Sequence, residues 1–321
     1  QEDAWEFFSE GTAVLASSAG QPAVQFAQTS GPRAYVSNAN NFVAGGGVLG
    51  GDLNISYETM SPHHAVIYYR FLYEQCGGME GGVEDSAAGM QVIRNTLMAL
   101  YSGDIVDIGS STDLIGAVPE VVDRALEGSS CPFKTHEESL IAFARAIYRL
   151  RLEGGRCTEP GRPGGCGFYD PYSLYAEPPV GTISYSGATI TYSEAAQPYP
   201  AGISSSFGMD FVDVVLDPAA DGQPLTIEFR PAPGGDAQFN VQLWKLIDSE
   251  GGAKPQRVPT QTTAPEVLTG KNADGHLSYV IPAIDTSAYN RLGLIITRFD
   301  AKESSDPIGE YSIVLHAGVD S

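Results

Sequence analysis

Five histidines and four cysteines carry most of the metal and nucleophile chemistry open to this chain of 321 residues. His63 and His64 are adjacent, so they leave a helix in different directions and cannot share a metal as an i, i+4 pair would. They also open their helix, at the positive end of the dipole, where an imidazolium is disfavoured. His136-Glu137-Glu138-Ser139-Leu140 approximates a His-x-x-x-His pair, but Leu140 stands where the second imidazole is needed. His136 reads as a solvated residue in a first helical turn. His276 reads as part of a hairpin turn and His316 as part of the last strand, each without an acid or a cysteine at ligand spacing. Cys76, Cys131, Cys157 and Cys166 form no Cys-x-x-Cys pair and have no histidine cluster beside them, which argues against a zinc knuckle. The preferred pairing is Cys157–Cys166, which clips the Gly/Pro-rich loop CTEPGRPGGC, with Cys76–Cys131, and it implies an oxidising compartment. Free buried thiols are the alternative.

Other motifs carry less. Gly45-Gly46-Gly47-Val48-Leu49-Gly50 matches G-x-G-x-x-G in letters only, because no buried strand precedes it and no helix follows to point at a pyrophosphate. A phosphate-binding G-x-x-x-x-G-K-[ST] and a G-x-S-x-G nucleophile elbow are both absent from the sequence. Asn54-Ile55-Ser56 is a lone glycosylation sequon. In the second half the acids gather at turns: Asp217, Asp221, Asp236, Asp248, Asp274, Asp300 and Asp306. Three or more such carboxylates on converging loops would bind calcium, and a solvated acidic surface is the simpler reading. Trp244 and Tyr279 fit core packing better than an exposed sugar platform.

The most specific signal lies at Trp5-Glu6-Phe7-Phe8-Ser9-Glu10-Gly11-Thr12-Ala13. It resembles the second zinc-binding helix of gluzincin metallopeptidases, an aromatic stretch followed by Glu-Gly-x-Ala. The resemblance implies that Glu10 is the third ligand of a His₂Glu zinc site, with Gly11 and Ala13 small enough for two metal-bearing helices to approach closely. It extends loosely through HAVIYYRFLYEQCGG, which is similar to the helix after the site in large secreted bacterial peptidases of this type. The first two ligands in that family come from a His-Glu-x-x-His helix upstream of the glutamate, and the sequence contains none. One carboxylate is a poor ligand set. The resemblance therefore implies a catalytically incomplete chain, either a pseudoenzyme or a piece whose histidine pair lies in an upstream segment of the same precursor. Glu10 as a plain helix-surface acid is the alternative. Gly309-Glu310-Tyr311-Ser312-Ile313-Val314-Leu315 and Phe239-Asn-Val241-Gln-Leu243-Trp244 resemble the closing and inner strands of pre-peptidase C-terminal-type domains, accessory modules of secreted peptidases.

These residues need elements to position them, and the pattern changes once along the chain. Up to Gly155 the apolar residues follow a helical period. Helices are expected from Asp3 to Ser18, from Ser61-Pro62 to Gly77-Gly78 with Ala65, Tyr69, Leu72 and Cys76 on one face, from Glu84 to Tyr101, and from Pro119 to Gly128. The last runs from Thr135 to Glu153, with Thr135 and Glu138 as a capping box and Leu140, Phe143, Ala144, Ile147, Tyr148 and Leu152 as the buried stripe. Beyond Pro179 alternation takes over, and eight strands are expected at 181–185, 188–192, 211–216, 225–229, 239–246, 277–281, 292–298 and 311–316. The fold class is thus α+β: a helical domain over 1–155, a Gly/Pro-rich disulfide-clipped linker over 156–179, and an antiparallel, jelly-roll-like β-sandwich over 180–321.

Charge and composition limit the partners. Eighteen Lys and Arg against 39 Asp and Glu give a net charge of -21, which repels a phosphate backbone or an anionic lipid surface, so nucleic acid is excluded. No apolar run approaches the roughly 20 residues of a membrane span. Gln1-Glu2-Asp3 has neither the basic nor the apolar region of a signal peptide, and the expectation is a mature or excised chain at an extracellular or cell-surface location. Two functions fit: a non-catalytic relative of secreted zinc peptidases carrying an accessory sandwich, or an extracellular structural or adhesive protein whose sandwich joins copies or binds a surface polymer. Zinc would belong only to a complete parent protein. Elemental analysis of the purified chain should give far less than one zinc per molecule; stoichiometric zinc would overturn the reading of Glu10 as an isolated third ligand.

Overall fold

The computed structural model describes residues 66–80, 83–84, 86–101, 117–152, 180–193, 208–234, 237–248, 255–257, 265–271, 275–299 and 310–318. The expected helix at 3–18, Glu10, His63, His64, the glycine-rich run at 45–50, the linker at 156–179, and Cys157 and Cys166 lie outside them.

Among the described residues, four helices precede the strands of the sandwich. Helix α1 (Val66–Tyr73) buries Tyr68, Tyr69, Phe71, Leu72 and Tyr73 around most of its circumference, so it is a core helix rather than one with a single apolar face. It ends in a π-type turn, Glu74–Gly78, where Gly77 takes φ 108°. That conformation suits only a residue without Cβ, and it makes the expected stop at Gly77-Gly78 physical. A two-rung ladder follows, β1 (Met79–Glu80) with β2 (Val83–Glu84). Helix α2 (Ser86–Tyr101) buries Val92, Ile93, Thr96 and Ala99 at helical spacing, and α3 (Ala117–Leu126) buries Val121, Val122, Ala125 and Leu126. In the turn before helix α4 (His136–Leu152), the Thr135 hydroxyl accepts the backbone N–H of Glu138 at 3.2 Å. The Glu138 carboxylate reaches back to the N–H of Lys134 at 2.7 Å, one residue earlier than a simple capping box places it.

A disulfide joins Cys76, in the π-type turn, to Cys131, in the α3–α4 connection, 55 residues apart. Both cysteines are buried in the helical core. This is one of the two expected bridges.

All eight expected strands are present, with short additions. A six-stranded sheet holds β3 (Gly181–Tyr185), β5 (Met209–Leu216), β12 (Arg291–Arg298), β7 (Phe239–Asp248) and β8 (Pro255–Arg257) in that spatial order, with β9 (Glu266–Val267) also on β7. A five-stranded sheet holds β10 (Gly270–Lys271), β11 (Leu277–Ile281), β6 (Leu225–Pro231), β13 (Tyr311–Ala317) and β4 (Ile190–Ser193). Among the described residues every pairing is antiparallel except β3 with β5. The exception follows from the path: the intervening strand β4 lies in the opposite sheet, so the chain leaves the six-stranded sheet and re-enters it in the same direction.

Strict alternation sorts the side chains. Val212, Val214, Ile227, Phe229, Val241, Leu243, Leu292, Leu294, Ile296 and Ile313 fill the space between the sheets. On the other face of the six-stranded sheet Phe211, Trp244, Leu246 and Ile295 join the helical core. The order is therefore helices, six-stranded sheet, five-stranded sheet, with two apolar cores back to back.

Helix α4 makes the joint. Tyr148 packs on Phe211 and Trp244, with ring centroids 5.5 and 5.6 Å away, and its hydroxyl donates to Asp213 at 2.7 Å. Asp213 is 0% exposed in the middle of β5, and its second oxygen accepts from Arg291 Nη1 at 2.8 Å. Arg291 also grips Asp248 through Nε and Nη2, at 3.2 and 2.8 Å. Burial works against the Arg291 charge, and the hydrogen bonds it donates to both carboxylates outweigh it and raise its pKa. Gly293 lies opposite Asp213 in the ladder, and a Cβ built there would come within 2.0 Å of the Tyr148 hydroxyl oxygen.

Two outcomes follow for stability. Replacing Gly293 by Ala should destabilise the protein by about 3 kcal/mol through overpacking against Tyr148. The penalty should shrink in a Tyr148→Phe background, as a double-mutant cycle in urea would measure. Reducing the Cys76–Cys131 bridge, which closes a 55-residue span, should cost about 4 kcal/mol and lower the melting temperature.

Candidate functional site

Strand β6 alternates Leu225, Ile227 and Phe229 into the sandwich with Thr226, Glu228 and Arg230 on the opposite face, which carries no helix among the described residues. Glu228 sits mid-strand in the central strand of its sheet, with Ser278 of β11 on one side and Val314 of β13 on the other. Two rows along, His316 lies opposite Thr226, and His276 immediately precedes β11. Pleat and register thus bring three sequence-distant residues together. His276 Nδ1 lies 2.9 Å from one oxygen of Glu228, and His316 Nε2 lies 2.9 Å from the other. Arg230 Nη2 donates to that second oxygen at 2.5 Å.

The carboxylate is 2% exposed. Burial alone would raise its pKa, but hydrogen bonds from Arg230, His316 and His276 win and hold it at about 2. An ionised carboxylate only accepts, so each imidazole donates through the nitrogen that faces it. This corrects the expectation that His276 and His316 lack acidic company. Their partner is 48 and 88 residues away and reaches them through strand pairing.

The other candidate residues disperse. His136 is not solvated: it is 3% exposed, its backbone N–H is held by Asp123, and its ring meets Tyr68 edge-on at 6.4 Å. Desolvation pushes its pKa down to about 3, so it is neutral at ordinary pH. Of the turn acids, Asp217 accepts the N–H of Ala219 at the start of a 3₁₀ turn (Pro218–Ala220), Asp221 accepts the N–H and hydroxyl of Thr286, and Asp248 is bound by Arg291. Asp236, Asp274, Asp300 and Asp306 lie outside the described residues. Among the described residues no group of three or more His, Cys, Asp or Glu is placed to hold a metal. Trp244 is fully buried under Tyr148, in the core as expected. Tyr279 is half-buried, and its hydroxyl is bonded to Glu266, which Lys245 also approaches at 3.4 Å.

Sequence reasoning missed both carboxylate hubs. A usable signal was present: Asp213 interrupts FVDVVL and Glu228 interrupts LTIEF, and a charge inside an apolar strand demands a partner.

The architecture is that of a β-sandwich with a helical layer on one sheet and a disulfide in the helical layer. No family model matches the sequence, and no curated protein matches it. Among solved structures, the chain is similar to CorA, a surface-associated copper-binding protein important in copper acquisition in Methylomicrobium album BG8. Identity is 6%, the match covers 44% of this chain and 98% of that one, and the TM-score is 0.25. It is also similar to PliG, a periplasmic inhibitor of g-type lysozyme from Salmonella Typhimurium. Here identity is 9%, coverage is 43% and 98%, and the TM-score is 0.18. Likenesses this slight bear on neither ligand nor activity.

The Glu228 hub makes stability depend on pH with a definite sign. Its folded pKa, about 2, lies below the ordinary 4.5, so its contribution is complete above about 4.5 and is lost as pH falls through about 2. Glu228→Gln should therefore unfold at lower urea concentration than the parent at pH 7, and the difference should close between pH 4.5 and pH 2. A difference independent of pH would remove the ion-pair explanation.

Proposed function

We propose that this protein works outside the cytoplasm, in an extracellular or cell-surface setting, as a non-catalytic protein whose helix-backed sandwich is a binding or structural module. What supports a structural role for the described cluster is the geometry at Glu228, both of whose oxygens are taken up by Arg230, His276 and His316. A general base is most effective with a pKa near the working pH, and a carboxylate held at about 2 by a guanidinium and two imidazoles is a poor one. Those contacts suit a brace across β11, β6 and β13. The Cys76–Cys131 bridge supports the location, since buried disulfides persist in oxidising compartments.

A second reading keeps a link to zinc peptidases and rests on the Trp5–Ala13 segment. Glu10 would be the surviving third ligand of a divided site, its two histidines supplied by an upstream segment. Zinc bound there would activate water for peptide hydrolysis. A coding sequence with His-Glu-x-x-His some tens of residues before Gln1 favours this reading, and its absence favours a structural or adhesive protein that joins copies of itself or binds a surface polymer.

Incubation of the purified chain with zinc and a fluorogenic peptide mixture should give hydrolysis no faster than the blank. Chelator-sensitive turnover by the chain alone would contradict the proposal. Thiol titration of the chain recovered from its native compartment should find Cys76 and Cys131 oxidised; free thiols there would contradict the location.

A further inference from the structure

We draw no further inference here: the strongest candidate, the cluster of Arg230, His276 and His316 around the Glu228 carboxylate on the face of the five-stranded sheet turned away from the sandwich core, belongs to the site already described, and nothing in the structure shows what covers it.

Discussion

The joint between helices and sandwich depends on one buried carboxylate. Asp213 lies on β5 with no contact to solvent, where an unpaired charge would cost several kcal/mol. Tyr148 from α4 and Arg291 from β12 satisfy it, and Arg291 carries the network on to Asp248 at the end of β7. Three strands and one helix are thereby fixed in mutual register. The apolar contacts of Tyr148 with Phe211 and Trp244 supply burial, which is non-directional, whereas the hydrogen bond to Asp213 selects one placement of the helix. Gly293 is the steric counterpart, since a side chain there would collide with the phenol.

Glu228 repeats the arrangement on the other sheet. It too is a buried acid in a largely apolar strand, and it too is satisfied by side chains from its own strand, from β13 and from the residue that precedes β11. A one-residue slip of β13 or β6 would turn these partners to the wrong face. The two hubs therefore act as register marks, one in each sheet, each pairing a buried acid with an arginine. Acids elsewhere have smaller duties, such as the turn formed where Asp285 accepts from Ser287 and Ala288.

Much of the fold was legible because local patterns suffice for local elements. Alternation gave β3, β6, β7, β11, β12 and β13 to within two residues at either end, and Thr135 with Glu138 marked the start of α4. Sheet order was not legible, because strand pairing is non-local and alternation says only which residues share a face. For that reason His276 and His316 looked solitary, and the parallel β3–β5 pair was unexpected. His136 was misread because a helix's first turn is usually wet; here Tyr68 covers the ring. The Cys76–Cys131 bridge was reachable, because the helical spacing that buries Tyr69 and Leu72 continues to Cys76 in the terminal turn.

Glu228 is an ionised brace across its sheet above the acid range. Its side-chain carboxyl carbon, followed by NMR in the intact chain as the pH is lowered, reports its ionisation directly. A carboxylate held by Arg230, His276 and His316 gives a single inflection at about 2. An inflection at about 5 or higher, above the ordinary carboxylate range, would contradict it and return the residue to consideration as an acid–base catalyst.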